Sequence, residues 1–90
     1  MARYVVQRTF PEGLRISVDN GGAELCRGVT ERNAEEDVTW INSFVSDDKT
    51  HTFCIYDAPS PEAIRKTAAR NELTVDQITR VSVLDPYFYP

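Results

Sequence analysis

Histidine is almost missing from this chain: His51 is the single residue of its kind. One imidazole without a second nitrogen or thiolate ligand makes a poor site for a soft metal. Cysteine is nearly as scarce. Cys26 and Cys54 are the two, and they form no C-x-x-C pair, which excludes the zinc-finger and thioredoxin-type readings. Basic residues are outnumbered, 10 against 14 acidic, for a net charge of −4 with no basic cluster. Such a chain repels nucleic-acid phosphates and anionic membrane surfaces, so neither is an expected partner. No run of about 18 apolar residues is present to span a bilayer. Met1-Ala2-Arg3-Tyr4 leads straight into a strand-like segment without an apolar signal region, so the cytoplasm is the expected compartment and both thiols are expected reduced. Gly21-Gly22 precedes a helix but lacks the Walker and G-x-G-x-x-G spacings, and no EF-hand spacing follows Asp47-Asp48.

What is present reads as one domain over residues 1–90, with 41% hydrophobic and 27% charged residues, a composition that folds. A chain this short buries only about 60–65% of its unfolded surface, so burial against a partner subunit carries extra weight. Residues 3–10 are rich in β-branched and aromatic side chains and predict a strand. Asp19-Asn20-Gly21-Gly22 breaks the chain, with Asp19 or Asn20 able to cap a helix running to about Glu36. Leu25, Cys26, Val29 and Asn33 mark its inner stripe, and Gly28 within it costs about 1 kcal/mol against alanine unless it permits close packing. Residues 38–46 and 49–57 predict two strands joined by a tight hairpin at Asp47-Asp48. Ser60-Pro61-Glu62 starts a second helix, N-cap then proline then a carboxylate, which runs to Asn71 as a left-handed cap. Residues 78–84 predict a fourth strand.

The order β-α-β-β-α-β is that of a ferredoxin-like α+β domain: a four-stranded antiparallel sheet with two helices on one face. Arg32-Asn33 and Arg70-Asn71 close the two helices alike, an echo of a split βαβ unit written twice. Pairing across the hairpin is expected to set Phe44 opposite His51, Asn42 opposite Phe53 and Trp40 opposite Ile55, all on one face. Ile41, Ser43, Val45, Cys54 and Tyr56 then share the other. Neither face is polar, and two helices cover only one, so the open face is expected to pair in a homodimer, with Tyr87, Phe88 and Tyr89 of the tail reaching across.

Trp40, Asn42, Phe44 and Phe53 are the candidate ligand-binding residues: an aromatic wall with one convergent amide is what a small-molecule pocket needs, and equally what a dimer core needs. His51 is the candidate metal ligand on the same face. Glu31, Glu35, Glu36 and Asp37 gather at the end of the first helix, and Glu36 is the carboxylate candidate for a cation. Arg65 and Arg70 are of the type that clamps an anion. Cys54 faces away from His51, which disfavours a Cys-His nucleophile pair, and no catalytic residue is assigned.

The runs Arg32-Asn-Ala-Glu-Glu-Asp-Val-Thr-Trp-Ile-Asn-Ser-Phe-Val-Ser46 and Thr52-Phe-Cys-Ile-Tyr-Asp-Ala-Pro-Ser-Pro-Glu-Ala-Ile-Arg65, down to Asp85-Pro-Tyr-Phe-Tyr89, resemble the domain-of-unknown-function 4242 family. The resemblance implies a ferredoxin-like fold and a dimer, and the family includes a nickel-binding relative with histidine prominent at its site. This chain has Asn42 where relatives often have histidine, and none in Ala68–Leu73. A divalent metal such as nickel is the cofactor that the resemblance implies. The leading expectation is a small binding module for a metal ion or small ligand; the alternatives are a small enzyme of the dimeric α+β barrel type and an interaction subunit that docks a protein on the open sheet face.

Overall fold

Two features of β1 (Ala2–Thr9) organise the domain: it alternates buried and half-buried residues, and it takes the centre of the sheet. The computed structural model describes residues 1–15 and 20–88, and of Asn20 the backbone alone. The elements that follow β1 are α1 (Asn20–Ala34), β2 (Thr39–Val45), β3 (His51–Ala58), α2 (Pro61–Arg70) and β4 (Gln77–Val81). The sheet is antiparallel with strand order β2-β3-β1-β4, the ferredoxin-like arrangement that the element order predicts. Tyr4, Val6, Cys54, Tyr56 and Ala58 from one face of the sheet meet Ile64 of α2 and Val38 in the core. The expected helix cap at Asp19 lies outside the described residues, as does Tyr89; Asn20, the other expected cap, is the first residue of α1.

The second helix starts as its sequence dictates. Ser60 is extended (φ −163°), its Oγ accepts from the Ala63 amide at 3.2 Å, and Pro61 occupies the first turn. Its end differs from expectation. Asn71 has φ −90°, and Glu72 takes the left-handed conformation at φ 58°. Asn71 is instead held by its side chain: Nδ2 donates to Asn33 Oδ1 at 3.0 Å, and Oδ1 accepts from Arg32 Nε. The echo between the helix ends is thus a physical contact, with Arg32 and Asn33 of one meeting Asn71 of the other.

The β2–β3 connection is wider than a tight hairpin, spanning residues 46–50 with Lys49 at φ 63°. One oxygen of Asp48 organises it, accepting from Ser46 Oγ at 2.7 Å, Thr50 Oγ1 at 2.7 Å and the Thr50 amide at 3.0 Å. Those bonds, the Thr50 hydroxyl foremost, pull the Asp48 carboxyl down to about 2, with the nearby His51 adding in the same direction. A carboxyl whose pKa falls on folding contributes stability that is complete above about pH 4 and drains away as pH drops through about 2. Asp48→Asn should therefore flatten the acid limb of the stability profile between those two pH values, read by urea denaturation at stepped pH; an unchanged limb would show that the bonds do not persist in solution.

Candidate functional site

The wider turn changes the register. Phe44 pairs with Phe53 and Asn42 with Ile55, two residues on from the expected partners. A bulge at Ile41 then moves Trp40 out of phase, and Trp40 pairs with Tyr56. Asn42, Phe44, Phe53 and His51 accordingly stay together on the open face, while Trp40 turns to the helix side. Packing explains the bulge: the indole is half-buried against the core, and its Nε1 donates to Ser43 Oγ at 2.8 Å. The candidate ligand-binding set is therefore split between two faces.

On the open face, Phe44 is 61% and Phe53 39% exposed, and Asn42 is exposed beside them. They form a flat apolar patch, not a pocket. His51 is exposed at the turn, its Nδ1 2.9 Å from Thr50 Oγ1. Glu36 lies near the far end of the same sheet, where β2 begins opposite Asp57, six residues along β3 from His51 and thus about 20 Å away along the strand. Its carboxylate is already engaged by Lys66 at 3.3 Å and Arg70 at 3.6 Å, and Arg70 also pairs with Glu35. Among the described residues, no three of histidine, cysteine, aspartate and glutamate converge. The described residues of one chain do not by themselves fit a nickel ion.

A partly enclosed space lies on the helix side. Of the described residues of α1, only Gly22 and Asn33 are buried. The helix is held at its C-terminal end by the Arg32–Asn33–Asn71 bonds, while Leu25 stays exposed and Cys26 and Val29 only half-buried. Beneath it is a cavity of about 240 Å³. Leu25, Cys26 and Val29, the inner stripe expected from helical spacing, form its roof, and Trp40, Cys54 and Tyr56 belong to its floor. Gly28 has a packing role: a Cβ there would sit 3.3 Å from both terminal nitrogens of Arg32, so the glycine clears a seat for that guanidinium at the cavity edge.

Arg8 is the residue that sequence reasoning passed over. It is 3% exposed and points into the cavity from β1. Its Nη1 donates to Tyr56 Oη at 3.4 Å, and its Cζ lies 5.7 Å from the centre of the Tyr56 ring. Burial pushes the Tyr56 hydroxyl pKa up, with the Arg8 charge pulling against it. The signal was there: Tyr4, Val6 and Arg8 fall on one face at period two, so a charge continues the core side of a strand. The adjacent Val5-Val6 pair obscured which phase was inward.

Residues 4–81 match a protein-family profile described as "Nickel responsive protein SCO4226-like". The match supports the nickel-binding side of the resemblance read from the sequence and does not carry the domain-of-unknown-function 4242 label. The crystal structure of SCO4226 from Streptomyces coelicolor A3(2) superimposes with a TM-score of 0.72 at 15% identity, covering 93% of this chain and 100% of that one; at such identity the likeness is one of fold. No curated protein sequence gives a significant match.

Proposed function

The chain belongs to the SCO4226-like nickel-responsive protein family, and on that premise we propose that it is a small cytoplasmic binding module that holds a small molecule beneath α1 and works as a homodimer. The observation that carries the ligand reading is the cavity itself, bounded mostly by apolar side chains with a few convergent polar groups, as small-molecule sites are. Trp40 is the residue of the expected ligand-binding set that belongs to it. The dimer reading is supported by the opposite face, where Phe44 and Phe53 remain exposed on a sheet whose other face carries the helices.

The family description brings nickel with it, and a metal ion is the second occupant to test. His51 lies on the open face, so a sheet-to-sheet dimer is the arrangement that supplies more than one imidazole. Native mass spectrometry and elemental analysis of protein purified without chelator or affinity tag separate the two readings. The expected result is a dimer that carries a small organic mass and no stoichiometric metal. Stoichiometric nickel lost in His51→Ala would move the site to the open face. Phe44→Glu should weaken the dimer by about 2–4 kcal/mol, because it places a charge against the Phe44–Phe53 patch; an unchanged dimer by light scattering would place the interface elsewhere.

A further inference from the structure

The chain is acidic, yet its cavity is lined by three arginines, Arg8, Arg15 and Arg32, and by no carboxylate among the described residues. Arg32 is engaged with Asn71, and Arg15 is exposed. Arg8 is 3% exposed, and its Nε has no hydrogen-bond partner among the described residues. A guanidinium stays charged and carries five N–H donors. Among the described residues Arg8 uses one, through Nη1, in a long bond to Tyr56.

The same strand shows what is missing. Arg3, on the other face, is gripped side-on by Asp57, with Nε to Oδ1 at 2.8 Å and Nη2 to Oδ2 at 3.1 Å. Planar N–H pairs of this kind match the two oxygens of a carboxylate. In Arg8 the bond to Tyr56 occupies Nη1, and no carboxylate among the described residues meets the Nε–Nη2 edge. A buried charge left so is strongly unfavourable, and an apolar side chain of similar volume would fill the position better. The arginine is explained if the counter-charge comes from outside the chain.

We infer that Arg8 anchors an organic anion in this cavity, a small monocarboxylate with an apolar body that lies against Phe10, Leu25, Val29, Trp40 and Val45. The inference deepens the proposed small-ligand reading and rests on it. One buried cation with no carboxylate partner among the described residues suits a single negative charge. The apolar walls suit a hydrocarbon body, and about 240 Å³ is smaller than the pockets that take drug-sized ligands.

Trp40, the chain's single tryptophan, lines the cavity and reports on it by fluorescence. Wild-type protein and the Arg8→Met and Arg8→Lys variants are titrated with phenylacetate and hexanoate, with their neutral amides, and with inorganic phosphate. The carboxylates are expected to saturate the Trp40 signal and to bind about ten- to a hundred-fold tighter than the amides. Arg8→Met should erase that preference while still admitting the amides. Arg8→Lys should retain only part of it, since an ammonium lacks the side-on fork. Amides binding wild-type as well as carboxylates do would overturn the anion anchor and leave the small-ligand reading standing. Phosphate binding as tightly as the carboxylates would overturn the apolar-body requirement. No Trp40 response to any probe, with the melting temperature also unmoved, would overturn both readings. If Arg8→Met does not fold, the wild-type comparison of each acid with its amide decides the matter alone.

Discussion

Arg8→Met should raise the unfolding free energy by about 1–4 kcal/mol, the opposite of what replacing a buried residue usually does. The expectation follows from the imbalance around the guanidinium. It is almost wholly buried, makes one weak bond to Tyr56, and has no carboxylate partner among the described residues. Methionine is of similar length and adapts to irregular apolar space. Its desolvation is favourable where that of a lone charge is not. Any water that enters the partly open cavity would solvate part of the charge, which sets the lower end of the range. Urea denaturation of both proteins without added ligand makes the comparison. A variant less stable than wild-type by more than about 1 kcal/mol would mean that the contact with the Tyr56 ring holds the fold together, and a ligand would then not be needed to explain the arginine. A stabilising change would be that of a residue kept for binding at the expense of stability.

The largest loss of stability is expected from Ile64→Ala, about 2–5 kcal/mol. Ile64 is fully buried on α2, packed against the core formed by Tyr4, Val6, Cys54 and Tyr56. Truncation removes its transfer free energy and leaves a void that a well-packed core fills only in part. A domain of this length has about 5–13 kcal/mol in all by the usual per-residue stability, so the variant should be partly unfolded at moderate temperature. Leu25→Ala is the internal control. Leu25 is 49% exposed at the cavity roof, and its truncation should cost no more than about 1 kcal/mol by chemical denaturation. Equal losses at the two positions would mean that α1 closes onto the sheet in solution and that the cavity is not open.

These two residues show where sequence reading works. Ile64 lies in a helix whose start is written in Ser60-Pro61-Glu62, and it is buried there with Thr67 and Ala68, three and four residues on, as helical spacing places them. Hydrophobic period and capping chemistry are local, so they survive translation into structure. Arg8 shows the opposite. Its strand was legible, but its surroundings depend on Tyr56 and α1, which are distant in the chain.

Trp40 illustrates the limit most sharply. Alternation correctly kept Asn42, Phe44, Phe53 and His51 on one face, because a two-residue slip of register leaves every side chain on its side. A bulge of one residue at Ile41 reverses that side, and nothing local announces it. It arises because the indole gains more against the core and Ser43 than on an open sheet.

Element order, helix boundaries to within a few residues, the ferredoxin-like sandwich and the inner stripe of α1 were determined by the sequence alone, since each follows from short-range periodicity and caps. The cavity, the split of the expected ligand set and the buried guanidinium were decided only by the tertiary structure. They depend on how α1 is seated over the sheet, and one end of it is held by contacts between helix ends nearly forty residues apart, Arg32 and Asn33 with Asn71.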